Sequence, residues 1–112
     1  MTQWHNLSPI YLQLQEELGS AILEGRLCEG ELLPSIRQLS AQYRLNPQTI
    51  SKAYQGLVDN KLVTKQRGIG MIVAPKAQQK LKTIQKKLFL EEQWPKIYKK
   101  MQQLDLTLEE LV

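Results

Sequence analysis

Apolar residues recur along the first part of the chain at the spacing of an amphipathic helix. Between residues 10 and 22 they fall at intervals of mainly three or four, at Ile10, Leu14, Leu18, Ala21 and Ile22. Ser8 and Pro9 predict the start of this helix, because a hydroxyl can cap it and proline suits its first position. Gly25 predicts its end. We interpret the helix as support for a core, and a partner-binding surface is the alternative.

Two shorter amphipathic helices are predicted next, with a short break between them. Ser35 and Gln38 have the capping-box spacing that starts the first of the pair. The inward positions of this helix are Ile36, Leu39 and Tyr43. The break at residues 45–47 contains a capping asparagine and a proline, which predict a further helix from Pro47 to about Val58. Two small helices joined in this way are typical of a helix-turn-helix.

The outward face of this third helix carries hydrogen-bonding side chains near its N-terminal end. They are Gln48, Thr49, Ser51, Lys52 and Gln55. Base edges in DNA are read by donors and acceptors from the first turns of a recognition helix, where the helix dipole is also positive. A lone solvated helix would look the same, but the preceding turn and the following hairpin favour DNA binding.

A β-hairpin is predicted after the third helix. Residues 62–66 and 71–74 are strand-like, and Arg67-Gly68-Ile69-Gly70 forms a turn between them. The two glycines allow a tight tip and let backbone amides approach a phosphate. Arg67 could enter a minor groove or hold a phosphate. The order of helix, helix-turn-helix and hairpin predicts a winged helix-turn-helix DNA-binding domain over residues 1–75.

Residues 76–112 are predicted to form a short helical dimerisation tail. Its apolar face is expected at Leu81, Ile84, Leu88, Trp94, Ile97, Tyr98, Met101 and Leu104. Pro95 interrupts or begins a helix, and Thr107 with Glu110 repeats the capping-box spacing. Because these stripes are too short to form a core of their own, we expect them to pair with a second copy of the chain. Folding back onto the DNA-binding domain is the alternative. The fold class expected is therefore mainly α with a small β-hairpin.

Positive charge is concentrated where DNA binding is predicted. The 112-residue chain has a formal net charge of +4, a mild preference for anionic partners. From Arg37 to Arg67 there are six basic residues and one acidic residue, whereas the first 36 residues carry one basic and five acidic residues. The tail from Lys76 carries eight lysines and five acidic residues.

Other functional classes find little support in the composition. Cys28 and His5 are each the single residue of their type, so no disulfide framework, metal site or cofactor is expected, and an enzyme is not expected either. Cys28 is expected to be a small semi-buried residue. No apolar run approaches the length of about 20 residues that spans a membrane. The first residues also lack the apolar core of a signal peptide, so a cytoplasmic, nucleoid-associated protein is expected.

Several separated segments together resemble the N-terminal winged-helix domain of GntR-family bacterial repressors, over roughly residues 8–75. They are Gly25-Arg26-Leu27 through Gly30, Leu33-Pro34-Ser35-Ile36-Arg37-Gln38-Leu39, Asn46-Pro47-Gln48-Thr49-Ile50-Ser51-Lys52-Ala53-Tyr54 and Gly68-Ile69-Gly70. The short tail is similar to that of the YtrA-type subfamily, small dimeric regulators often associated with operons for ABC transporters. Asn60-Lys61 departs from the family pattern, which usually has a glycine after the third helix.

The resemblance implies a homodimeric repressor that binds an inverted-repeat operator in double-stranded DNA. The residues it places in contact with DNA are Ser35, Arg37, Asn46, Gln48, Thr49, Ser51, Lys52, Arg67, Gly68 and Gly70. A small-molecule effector is a possible further partner, but the sequence does not indicate which molecule it would be. A winged helix that binds other proteins is the alternative function.

Overall fold

The computed structural model describes residues 4–112, which divide into two units, 4–81 and 82–112. The first unit contains helices α1 (Ile10–Leu23), α2 (Ile36–Tyr43) and α3 (Pro47–Asp59), then strands β1 (Val63–Gln66) and β2 (Gly70–Val73). Helix α4 (Ala77–Leu88) begins in the first unit and ends in the second. A π-helical turn (Phe89–Gln93), α5 (Trp94–Gln103) and α6 (Leu108–Leu111) follow. The predicted fold class is confirmed.

Helix α1 begins differently from the prediction. Pro9 is the residue before the helix, and no side chain caps it, so the expected cap by the Ser8 hydroxyl is wrong. Instead, the buried Gln13 amide donates hydrogen bonds to the carbonyl oxygens of Ser8 (2.8 Å) and His5 (2.9 Å). A buried amide needs partners, and the chain before α1 supplies them. The apolar stripe is buried from Leu14 onward, while Ile10 is exposed.

The predicted starts of α2 and α3 are confirmed. The Ser35 hydroxyl accepts a hydrogen bond from Gln38 N (3.0 Å), and Ser35 N donates to Gln38 Oε1 (2.8 Å). Asn46 Oδ1 accepts from Gln48 N (2.8 Å), with Pro47 in the first turn of α3. These caps fix the starts of α2 and α3, because each satisfies an amide that the helix itself leaves unpaired.

The core of the first unit joins all its elements. Its buried apolar residues are Leu14, Leu18, Ile22, Leu33, Leu39, Ile50, Ala53, Tyr54, Leu57, Leu62, Val63, Val73, Ala77 and Leu81. Helix α1 packs along α3, and the Tyr54 hydroxyl of α3 donates a 2.5 Å hydrogen bond to the Pro34 carbonyl before α2. Leu81, expected on the dimerisation face, therefore lies in this core instead.

The hairpin is antiparallel, with Val63 opposite Val73 and Gln66 opposite Gly70. The segment before α2 pairs with it in a way that the sequence did not predict. Leu32 is bridged to Ile72, and two backbone hydrogen bonds, Leu33 N to Met71 O (2.8 Å) and Val73 N to Glu31 O (2.9 Å), flank that bridge. The hairpin is thus attached to the chain directly before α2.

Two connector positions qualify the sequence analysis. Cys28 is exposed, so its expected semi-buried position is wrong. The Glu31 side chain raises the pKa of the Cys28 thiol, which disfavours the reactive thiolate. After α3, Lys61 has a left-handed backbone with φ of 61°. Glycine adopts that conformation most easily, and Lys61 belongs to the Asn60-Lys61 pair where the resemblance led us to expect a glycine.

The second unit is helical throughout residues 82–103. Trp94 N donates to Phe89 O, which closes the π-helical turn, and Pro95 lies in the first turn of α5. Pro95 therefore begins a helix, one of the two predicted outcomes. The Trp94 ring centroid lies 6.4 Å from that of Phe89 and 5.9 Å from that of Tyr98. Thr107 N donates to Glu110 Oε1 (3.2 Å) ahead of α6.

Within residues 4–112, no helix combines the length and the apolar character needed to cross a membrane. The same residues contain no group of three or more His, Cys, Asp or Glu side chains placed to hold a metal ion.

Candidate nucleic-acid interface

A groove of about 490 Å³ lies between the N-terminal end of α2, the outer face of α3 and the hairpin. We call it the α3–hairpin groove. Its polar lining residues are Ser35, Arg37, Gln38, Ser51, Gln55 and Lys65. Ile69 and Gly70 at the hairpin turn also border it. The groove brings together four predicted DNA contacts from three separate segments of the chain, Ser35, Arg37, Ser51 and Gly70.

Arg37 is placed by the capping box at the start of α2. It follows Ser35 by two residues, and its side chain is exposed beside the groove. The Ser35 hydroxyl oxygen accepts one hydrogen bond from the amide of Gln38, so it keeps one lone pair and its own hydrogen for a further partner. Arg37 is therefore the charged side chain at the capped end of α2. Its guanidinium can donate to a phosphate or to a base edge.

The N-terminal half of α3 presents the predicted recognition residues unequally. Gln48 and Ser51 are exposed, whereas Thr49 is half-buried. Asn46 Oδ1 is used in capping, which leaves its amide hydrogens as donors. Gln55 Nε2 donates to Asp59 Oδ1 (2.9 Å), so this amide points along the helix. Gln48 and Ser51 are consequently the residues of α3 most free to reach base edges.

The hairpin tip carries the remaining predicted contacts. Arg67, Gly68 and Gly70 are all exposed, and the two glycines have φ of 80° and 129°. A Cβ atom added at Gly70 would lie 3.2 Å from Leu32 Cδ1, so the connector before α2 packs closely against the turn. The tip is thereby held at the groove with its backbone and Arg67 accessible.

Lys65 was missed by the sequence analysis. It lies in β1 two residues after Val63, which is buried. Residues two apart in a strand share a face, so the period of the strand places Lys65 on the side that faces α3, where it lines the groove. The two-residue alternation of the strand was the sequence signal that could have identified Lys65.

Lys52 is exposed, but it lies over a ring of another helix. Its Nζ atom is 4.2 Å from the centroid of the Tyr11 ring in α1. Tyr11 was given no role from the sequence, because no local pattern connects residues 41 positions apart. This contact therefore had to come from the packing of α1 on α3.

The family model for bacterial regulatory proteins, gntR family, matches residues 10–73. A curated relative, the uncharacterised helix-turn-helix transcriptional regulator YhcF of Bacillus subtilis, is 32% identical over 112 residues, covering 98% of this chain and 89% of YhcF. The transcriptional repressor YtrA of the same organism is 34% identical over 70 residues, covering 62% of this chain and 54% of YtrA.

Solved structures share the fold. A GntR family transcriptional regulator from Listeria monocytogenes has a TM-score of 0.79 at 24% identity, covering 96% of this chain and 93% of that one. The AraR DNA-binding domain in complex with operator ORR3 has a TM-score of 0.59 at 30% identity, covering 66% of this chain and 89% of that one. These likenesses confirm the winged helix-turn-helix.

Proposed function

This chain belongs to the GntR family and is a transcriptional regulator with a DNA-binding domain, and we propose that it is a homodimeric repressor of the YtrA type. In this proposal it binds an inverted-repeat operator in double-stranded DNA through the α3–hairpin groove and the exposed face of α3. The proposal rests chiefly on one observation. Side chains of α2, α3 and the hairpin meet in one basic groove, where exposed Arg37 and Lys65 flank the outer face of α3.

The proposed contacts follow from the side chains that are free. The major groove of B-DNA admits an α-helix, so α3 enters it with Gln48 and Ser51 toward base edges. Arg37 holds a phosphate or a base beside the helix. Arg67 and the amides of the hairpin turn approach the neighbouring backbone or minor groove. Asn46 and Thr49 are assigned weaker contacts with DNA, because the Asn46 side-chain carbonyl oxygen caps α3 and the Thr49 side chain is half-buried.

Dimerisation is proposed through the apolar face of the second unit. Ten of the fifteen exposed large apolar side chains among the described residues follow Lys82. They include Ile84, Leu88, Phe89, Leu90, Ile97, Tyr98 and Leu104. Many large apolar side chains left exposed on one unit of a single chain favour an interface there. Met101 is buried within the single chain, so we omit it from this face, as well as Leu81.

The dimer sets the geometry of the operator. A two-fold axis would place two α3 helices in successive major grooves about 34 Å apart, which requires two half-sites in inverted orientation. Repression is supported by the likeness to YtrA, a repressor by name. The resemblance to its subfamily further supports a regulated operon that encodes an ABC transporter, and action in the cytoplasm, where bacterial DNA lies.

An anisotropy titration tests the proposal. Purified protein is added to the labelled duplex from upstream of its own gene, at two salt concentrations and with random DNA as competitor. We expect saturable binding that survives the competitor and falls steeply with salt, because Lys and Arg contacts to phosphates release counterions. Binding that disappears with the competitor would refute operator recognition and favour the protein-binding alternative.

Arg37→Ala sharpens this test. We expect it to weaken operator binding by about 1–3 kcal/mol, the value of a specific arginine contact. Lys96→Ala is the matched control, because it removes one exposed positive charge from α5. Equal affinities of Arg37→Ala and the control would refute the assignment of Arg37 to the interface.

A further inference from the structure

Lys52 lies in the second turn of α3, on the face proposed to meet DNA, and its ammonium lies over an aromatic ring. The 4.2 Å between Nζ and the centroid of the Tyr11 ring is within the range of a cation–π interaction. Tyr11 belongs to the first turn of α1. The contact therefore connects the helix that supports the core with the helix proposed to read DNA.

Tyr11 is itself held in place. Its side chain is half-buried and packs against the core of the first unit. Two residues later, the buried Gln13 amide ties the preceding segment to α1: Gln13 Oε1 accepts from His5 N (3.1 Å), and Nε2 donates to the carbonyls of His5 and Ser8. Because the chain is fixed on both sides of Tyr11, its ring is a stationary platform for Lys52.

The charge of Lys52 remains available to a further partner. Among the described residues the ion pair found is that of Arg26 with Glu24, and Lys52 is part of none. Its side chain is exposed. A ring face attracts the ammonium without accepting its three hydrogens as a carboxylate would. Lys52 is thus held but not neutralised.

We infer that Tyr11 is a positioning residue that holds the Lys52 ammonium ready for a DNA phosphate. This inference rests on the proposed function. A free lysine side chain loses most of its rotamer freedom when it binds, and a side chain held in advance loses less. Phosphate is the expected partner, because lysine acts as a point charge and phosphates supply most protein–DNA contacts.

A double-mutant cycle tests the inference. Operator affinity is measured for the wild type, Tyr11→Leu, Lys52→Met and the double variant, with Tyr11→Phe as the conservative control. We expect Tyr11→Leu to weaken binding roughly two- to fivefold, the size of an exposed cation–π contact. Tyr11→Phe keeps the ring and should keep wild-type affinity. Lys52→Met should lower the salt slope by about one phosphate contact. In the double variant, Tyr11→Leu should cause no further loss of affinity or of salt slope beyond that of Lys52→Met.

Other outcomes overturn the inference. If Tyr11→Leu binds as tightly as the wild type or more tightly, the ring does not position Lys52 for DNA. If Tyr11→Leu weakens binding equally with and without Lys52, then Tyr11 acts only through the fold. The comparison of Tyr11→Leu with the double variant remains valid even where loss of the ring makes the protein less stable, because both proteins share that loss.

A measurement without DNA separates this inference from the proposed function. In the free protein, the methylene protons next to Lys52 Nζ should be shifted upfield in the NMR spectrum by the Tyr11 ring, and Tyr11→Leu should remove that shift. Absence of the shift in the wild type overturns the inference even if the operator is bound. If the shift is present but the wild type binds no operator, the proposed function is refuted, and the role of Tyr11 in DNA binding is refuted together with it.

Discussion

Tyr54→Phe isolates the hydrogen bond that connects α3 to the segment before α2. Tyr54 is 1% exposed, and its hydroxyl donates to the Pro34 carbonyl at 2.5 Å. Phenylalanine keeps the ring and the packing, so the change removes the hydroxyl alone. We expect a loss of about 1 kcal/mol in the free energy of unfolding near neutral pH, the net value of a typical hydrogen bond. In a domain of this size that corresponds to a drop of about 4–8 °C in Tm.

The same residue predicts a pH dependence. Burial, with a smaller contribution from Tyr43, raises the pKa of Tyr54 above its ordinary value. Below about pH 10 the phenol is protonated in both folded and unfolded chains, so its contribution to stability is constant. At higher pH the unfolded chain ionises first, and wild-type stability falls by about 1.4 kcal/mol per pH unit. Tyr54→Phe lacks this loss.

Urea unfolding followed by far-UV circular dichroism, from about pH 7 to about pH 11, measures both effects. The stability advantage of the wild type over Tyr54→Phe should shrink above about pH 10 and then reverse. Tyr98→Phe is the control, because it removes a phenol that lies outside the core of the first unit and is exposed within the single chain. Equal urea midpoints at neutral pH, or a constant difference across the whole range, would refute the reasoning.

Three further predictions concern backbone conformation and assembly. Lys61→Gly should stabilise the protein by about 0.5–1 kcal/mol, because glycine adopts the left-handed backbone at that position without strain; thermal unfolding measures it. Gly70→Ala should cost about 1–3 kcal/mol and more than Gly68→Ala, because only Gly70 has a side chain within 4 Å of the added Cβ; urea unfolding and operator titration measure both. Leu88→Glu should convert the proposed dimer to monomer in light scattering, whereas Gln85→Glu, equally charged and also exposed on α4, should not.

Each of these has a clear contrary result. A lower Tm for Lys61→Gly would mean that its lysine side chain stabilises the loop by more than the backbone strain costs. Equal costs for the two glycine variants would remove the close approach of Leu32 as a cause. A dimer that survives Leu88→Glu would move the interface away from the face assigned to it.

Features determined by neighbouring residues were predictable from the sequence. The Ser35 capping box and the cap at Asn46 depend on spacings of two or three residues, and both are present as expected. The hairpin turn depends on its own glycines. Ser8 shows the limit of such reasoning. It has the right residue type before a proline, but the helix begins after Pro9 without a side-chain cap, and the Ser8 carbonyl instead accepts from the buried Gln13 amide, a contact that residue type and spacing do not indicate.

Features that depend on packing between distant segments were not predictable. The pairing of Leu32 with Ile72 joins the connector to the hairpin across 40 residues, and neither segment has a pattern that requires the other. For the same reason the contact of Lys52 with Tyr11 was missed. The apolar stripe of the tail was predictable from its spacing. Which residues of the stripe are buried within the single chain depends on the fold, so the burial of Leu81 and Met101 was known only from the structure.

The two tryptophans lie in different units of the chain. Trp4 packs edge-on against Tyr43 of the helix-turn-helix, with ring centroids 5.7 Å apart, while Trp94 lies between Phe89 and Tyr98. Indole fluorescence depends on its immediate surroundings, so Trp4→Phe leaves an emission from the C-terminal helices alone. Trp94→Phe leaves one from the DNA-binding unit alone. The protein thus contains two intrinsic optical reporters, with which self-association and operator binding can be followed separately in unlabelled samples.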